Sequence, residues 1–414
     1  MKRQLAALLL PLVLAAGETG TKVREVPIGE GENTTSGFVA SSDARHLAWI
    51  EKLDQRECVV LDGTRSPLCR SVSTILFSED GEHLACLVTT DWPAPTLPGP
   101  TVMLDNALKE RYEWISDLAI DRHGSQVGFI ARPKGEDLTV VINGSYRRHR
   151  DTVMGGSLVL SREGGRYAFV ARNKGLYYVA TDDGLNGPYT AVNYGSLRFS
   201  PNAKHLSCEA TTGEKAFILD GKLVGHCDTV VGPAYDSVGR ALAYALLYKG
   251  LWSITVQRPY STYDIDLDGE VTDLVWSPDG NHLAYTAVKP LGGTVLVLDS
   301  TQVAECDSVT CLTFSPDGKR LAYAAFERGA WRVVLDKARS PRLASVKDLV
   351  VNPEGRHWAC WTHERDRWYA VVDGDKVGSY HDTLTRIIFE GEHQLRFIAR
   401  RWNTYYRVGV ALNP

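Results

Sequence analysis

The chain has 414 residues, with 46 Lys+Arg against 50 Asp+Glu, a formal charge of -4 and 44% hydrophobic residues. That near-balance excludes the basic footprint of a nucleic-acid binder, while the apolar share is enough to fill a large core. Length alone suggests two or three domains of about 150 residues each, an expectation that internal repetition replaces with one.

At the start, Lys2 and Arg3 precede an apolar run from Leu5 to Ala16 and then small residues, the layout of a secretory signal peptide. Residues 1–17 are read as a leader cleaved after Ala15 or Gly17, so the mature protein is expected to be secreted, periplasmic or extracellular. The run is too short for a membrane span, and no later stretch approaches the roughly 20 apolar residues that spanning needs. No Cys follows it to take a lipid.

Lys22 to Ile28 (KVREVPI) reads as a strand standing before the first repeat. From Phe38 onward one pattern recurs: FVASSDARHLAW, ILFSEDGEHLAC (75–86), LAIDRHGSQVGF from Leu118, LVLSREGGRYAF from Leu158 and LRFSPNAKHLSC (197–208). It continues as PAYDSVGRALAY from Pro233, LVWSPDGNHLAY (274–285), LTFSPDGKRLAY (312–323), LVVNPEGRHWAC from Leu349 and the shorter IIFEGEHQLRF from Ile387. These ten units have a period of about 39 residues, the spacing of propeller blades.

Each pattern is a strand, a Ser-Pro-Asp-Gly-type turn and a second strand. Pro presets the backbone, Asp bonds neighbouring amides and Gly tolerates the left-handed conformation. A third strand follows, such as WRVVLD (331–336), and a fourth ends in small motifs such as Asp228-Thr229-Val230 or Asp307-Ser308-Val309. The predicted fold is all-β, a propeller of four-stranded blades over 22–414. The last unit ends at YYRVGVAL (405–412) without a fourth strand, which the 22–28 strand is expected to supply. Ten blades exceed the usual four to eight. Two smaller rings are the alternative, but steps of 36 to 43 residues without a Pro/Gly/Ser-rich linker favour one ring.

The residues aligned with Tyr323 are Trp49, Cys86, Phe129, Phe169, Cys208, Tyr244, Tyr285, Cys360 and Phe397. Large residues at one position of a repeated strand are read as packing between blades.

These SPDG-K-R-L-A-Y units resemble the TolB-like, or WD40-like, propeller repeats of many secreted and periplasmic bacterial proteins. The resemblance covers nearly the whole mature chain. It implies a scaffold or accessory role, and the chain has no room for the α/β domain that accompanies the propeller of TolB.

Catalytic signatures are missing: there is no G-x-S-x-G elbow and no HExxH, and no catalytic residue is assigned. His46, His83, His205, His282 and His357 share one repeat position, but equivalent positions on neighbouring blades are too far apart to share one zinc. Asp264, Asp266 and Asp268 before Gly269 resemble the start of a calcium loop, although Val275 stands where such a loop needs Glu. Of the eight cysteines, Cys58 and Cys69 flank one turn and are the best local candidates for a disulfide.

Second-to-third-strand loops and blade connections share one face, where scaffolds carry function. The loop from Asp91 to Pro100 stands apart, and Trp92, Pro93, Pro95, Leu97 and Pro98 are its candidate partner contacts. The expectation is a monomeric, noncatalytic scaffold binding a protein, peptide or envelope polymer through its loop face and central funnel. The alternative is a channel-sited enzyme of lyase or glycan-hydrolase type, which needs paired carboxylates at a channel mouth.

Overall fold

The computed structural model describes residues 12–15, 22–30, 35–90, 99–147 and 152–412, and every element among them is a strand. The strands form ten sheets in chain order. Blade 1 spans residues 35–65, blade 2 71–111, blade 3 114–147, blade 4 152–189 and blade 5 191–226. Blade 6 spans 229–267, blade 7 270–306, blade 8 308–339, blade 9 347–376 and blade 10 382–411. Within each blade, successive strands pair antiparallel, except that in blades 4 and 10 the innermost strand is split into two short pieces that both pair with the next strand. First strands of successive blades approach one another, so they line the axis and the fourth strands lie outside.

Blade 10 takes its fourth strand from the other end of the chain, as expected. Lys22–Glu30 pairs antiparallel with Thr404–Ala411, from Lys22 opposite Ala411 to Glu30 opposite Thr404. Leu12–Ala15, within the expected leader, pairs in turn with Lys22–Glu25. Glu25 is only 1% exposed, and its carboxylate takes both ends of the Arg401 guanidinium at 2.7 and 2.8 Å and the Tyr380 hydroxyl at 2.9 Å. Arg401 and Tyr380 belong to the end of the chain, so this buried, bidentate pair fastens the first strand to the last blade.

The ring is single. Its ten apolar cores each join two consecutive blades, from Cys86 of blade 2 against Ala48 of blade 1 to Phe397 of blade 10 against Trp361 of blade 9. The last core closes the circle: Ile398 and Tyr405 of blade 10 pack with Leu47, Trp49 and Cys58 of blade 1, and Phe38 stacks on Tyr405 at 4.0 Å.

The repeated hairpin shows why its residues recur. Ser315 is fully buried; its hydroxyl donates to Asp317 at 2.5 Å and accepts the Arg320 amide at 3.0 Å. A short acceptor suffices at this position. Asp236 accepts the amides of Arg240 and Ala241, and Asn352 those of Arg356 and His357. Gly318 closes the turn at φ +75°. A Cβ there would also meet the carboxyl of Asp279, in the preceding blade's turn, at 2.9 Å. Gly280 stands against Asp236 in the same way, at 2.8 Å. The glycine therefore serves both the left-handed turn and the close approach of neighbouring blades.

The Tyr323 column is buried throughout, between 0% and 7% exposed, and each of its ten members sits in a different core between blades. Each faces the preceding blade. Tyr323 packs with Ala284, Tyr285 with Ala243 and Ala245, and Cys360 with Ala322. In LAYAA, therefore, alternate residues face opposite ways: a large side chain toward one neighbour, a small one toward the other.

Two predictions follow from closure and burial. Arg401→Ala leaves the Glu25 carboxylate buried without its cation, so urea denaturation should show a loss of about 3 kcal/mol or more; a loss no larger than that of an exposed pair would refute the clamp. Burial raises the pKa of Tyr189 and Tyr235 to about 12, and likewise Cys86 and Cys208 to about 12. Unfolded Tyr and Cys ionise near pH 10 and 8.5 respectively, so above about pH 9 the folded state holds more protons than the unfolded one. Stability must then fall with rising pH, and a melting temperature unchanged between pH 8 and 10.5 would contradict this.

Candidate functional site: the loop face

Trp92, Pro93, Pro95, Leu97 and Pro98 lie outside the described residues. The strands that bracket them, Leu84–Thr90 and Gly99–Leu104, are the second and third of blade 2, so both chain ends of the segment open on the loop face.

The structure places Asp264 and Asp266 on the exposed outermost strand of blade 6, Ser261–Leu267, and Asp268 just beyond it. Asp264 accepts a hydrogen bond from Thr255 at 2.7 Å. The segment runs straight as a strand and does not wrap as a calcium loop. Among the described residues no three His, Cys, Asp or Glu side chains gather where they could hold one metal ion.

Cys58 and Cys69 are both free and buried. Cys69 stands directly opposite Glu57 in the ladder, so Cys58, one residue on, points to the other face of the blade. Cys58 packs toward blade 10 and Cys69 toward blade 2; the structure does not join them.

The five histidines of the repeat position serve as brackets. Each Nδ1 pairs with an Asp in the third-to-fourth-strand turn of its own blade: His46 with Asp62 at 2.6 Å, His83 with Asp105 at 2.7 Å, His205 with Asp220 at 2.8 Å, His282 with Asp299 at 2.9 Å and His357 with Asp373 at 2.6 Å. The second carboxylate oxygen of each Asp accepts the amide of the residue after the histidine. These Asp residues have φ between +48° and +56°, a conformation Asp tolerates better than most side chains. Arg166 with Asp182 and Arg320 with Asp336 occupy the same place in blades 4 and 8. The bracket ties the two turns of one blade together on the face opposite the loops.

The loop face has a different character. Its second-to-third-strand turns carry exposed apolar side chains in five blades: Leu53, Leu176, Leu251 (71%), Leu291 (fully exposed) and Trp402 (69%). Trp402 is held in place. Its amide donates to His381 Nδ1 at 2.8 Å, its ring lies 4.3 Å from the His381 ring, and the Arg367 guanidinium sits 5.2 Å from its centroid. Burial, with the Arg367 charge, lowers the pKa of His381, which suits an imidazole that accepts a hydrogen bond. Sequence reading missed these tips. Their one local signal is an apolar residue directly after a turn pair such as Lys249-Gly250, and alone that is indistinguishable from a strand's first core residue.

The innermost strands carry carboxylates at Asp117, Asp273 and Asp348, each beside a ladder irregularity. They stand on blades 3, 7 and 9, no two adjacent. Asp117 accepts three amides from blade 4, those of Gly156, Ser157 and Leu158. Burial raises the pKa of Asp273, which accepts the Leu274 amide, while Asp348 faces Lys347 and Arg386. Nothing among the described residues favours the enzyme alternative.

The fold and its repeats define the class: a ten-bladed β-propeller, whose repeats resemble WD40-like and TolB-like ones. The WD40 family (WD domain, G-beta repeat) matches residues 298–328, which run from the end of the third strand of blade 7 into the second-to-third-strand turn of blade 8. No curated protein matches the chain in sequence. Among solved structures it is similar to TolB from Acinetobacter baumannii, with 14% identity, 59% of this chain and 63% of that chain covered and a TM-score of 0.31. The chain thus spans under two thirds of that structure's length. It is also similar to the Dos1 propeller, with 8% identity, 93% of each chain covered and a TM-score of 0.34. The β-propeller domain of the Trilobed protease from Pyrococcus furiosus shares 9% identity over 67% of this chain and 98% of that one, with a TM-score of 0.32.

The bracket has a testable pH dependence. The hydrogen bond to Asp105, as the largest cause, raises the pKa of His83. Stability from this pair is therefore full below the unfolded value of about 6.5 and fades as pH rises through the folded value. His83→Gln should lower the melting temperature more at pH 5.5 than at pH 8; the reverse order would exclude a charge-assisted bracket.

Proposed function

We propose that the protein is a noncatalytic scaffold, exported from the cytoplasm, that binds a protein partner through its loop face. The observation that carries this reading is the set of apolar turn tips. A turn in water is ordinarily polar, yet Leu251, Leu291 and Trp402 stand well out from the ring on the same face. Trp set among arginines is the composition that dominates interface energetics, and Trp402 lies beside Arg367 and near Arg400 and Arg401. Holding that ring between His381 and Arg367 before the partner arrives reduces the ordering cost of binding.

The Pro-rich segment 91–98, which joins the second and third strands of blade 2 in sequence, is proposed as a second contact. Export is proposed from residues 1–17 alone. The ring's own clamp begins beyond them, at Glu25, so cleavage after residue 15 or 17 spares it.

The test is quantitative capture from periplasm or medium with the tagged chain. The triple variant Leu251→Ser, Leu291→Ser, Trp402→Ser should lose a specifically retained protein by about tenfold or more, the equivalent of about 1.4 kcal/mol, with its melting temperature close to that of the parent. Undiminished retention would remove the tips from the site. A variant with 91–98 replaced by a short Gly-Ser turn separates the contribution of that segment.

A further inference from the structure

A cavity of about 280 Å³ opens at the loop end of blade 8, lined by Glu327, Arg328, Arg332, Arg339 and Arg342. Four guanidinium groups meet one carboxylate. Arg339 takes that carboxylate, donating to Glu327 at 2.5 Å. Arg332 is half-buried and donates to the Ser340 carbonyl at 2.6 Å, a bond that positions its charge without neutralising it. Arg328 and Arg342 have no carboxylate partner among the described residues. The cavity lining therefore carries three positive charges beyond neutrality, a field that favours an anion.

The repeat supplies an internal control. Blades 1 and 9 are built on the same short outer strand, and RSPLC at 65–69 answers RSPRL at 339–343. The serine has the same task in both: Ser66 accepts the Val59 amide at 3.0 Å and Ser340 the Val333 amide at 2.9 Å. At the four arginine positions blade 1 carries Asp54, Cys58, Arg65 and Leu68, and blade 9 carries Arg365, Tyr369, Lys376 and Ser379. The cation at the Arg339 position belongs to the common frame, since Arg65 pairs with Glu51 and Lys376 with Glu364. Arg332 and Arg342 are peculiar to blade 8 among these three, and the frame accepts Cys, Tyr, Leu or Ser in their place.

The geometry points to an oxyanion-binding pocket in blade 8, taking a phosphate-type group between Arg328, Arg332 and Arg342, with Arg339 held at its wall by Glu327. Planar guanidiniums suit such a ligand because each offers two parallel N–H donors to two oxygens. The pocket stands on blade 8 alone and does not depend on the protein-binding reading of the face.

The experiment is calorimetric titration of the full chain at low ionic strength with two probes, inorganic phosphate and a short polyphosphate. The comparison is the double variant Arg332→Tyr, Arg342→Ser, which installs the residues of blade 9 and so keeps a combination this frame already folds with. Binding of either probe by the parent, weakened about tenfold or more in the variant, supports the pocket. Tighter binding of free phosphate assigns it to a small anion, and tighter binding of polyphosphate to an anionic chain. Failure of the parent to bind either probe, or equal binding by parent and variant, overturns it.

Discussion

The pairing of Lys22–Glu30 with Thr404–Ala411 is the contact on which the other blades depend. Every blade is apolar on both faces, because each packs between two neighbours, and a blade at the end of an open row would leave one of those faces in water. Ring closure removes that cost for all ten at once, and it also pairs the edge of blade 10 that would otherwise be free. A backbone ladder alone does not fix which strand closes the ring. The Glu25 carboxylate adds that choice: it is buried, and among the described residues Arg401 and Tyr380, at the far end of the chain, meet it. A slip of one residue would turn Glu25 to the opposite face, away from both.

Between the closed ends, the repeat works through contacts made twice. The buried Ser315 hydroxyl sets its own turn, while Gly318 lets the Asp279 turn of blade 7 approach. Tyr323 fills the gap toward blade 7 as Ala322 leaves room for Cys360 of blade 9. A residue in such a motif is held by two blades, which explains why the pattern varies only within narrow chemistry. Ser, Asp and Asn alternate at the Ser315 position because each is a short acceptor.

This doubling also explains what was legible in the sequence. The ten units, the closing strand and the Tyr323 column could be read because packing repeats with the blade, and repetition converts a weak local signal into a strong one. The histidine column was visible for the same reason, but its meaning was not. Asp62 or Asp373 becomes the partner only through a left-handed turn some sixteen residues on. Cys58 and Cys69 flank one turn in sequence, yet strand parity turns them toward different blades, which residue spacing alone does not reveal. The apolar tips were illegible because a leucine's exposure depends on where the strand stops, and a shift of one residue separates a core position from a tip.

The two faces of the ring then differ for a physical reason. On the turn face, each hairpin must satisfy its own amides, and in seven blades it also receives a His–Asp or Arg–Asp bracket, so little sequence freedom remains. On the loop face, the second-to-third-strand turns touch fewer neighbours and their residues are released from the repeat. Blade 8 shows the consequence within one sheet. Its Ser315-Pro316-Asp317-Gly318 end is an intact form of the repeat, while its other end carries Arg332 and Arg342, which the frame does not require. Blades 1 and 9 demonstrate that the same sheet folds with Leu68 or Ser379 instead of an arginine. What the packing does not demand, as at Arg332 and Arg342, is where selection for binding is free to act.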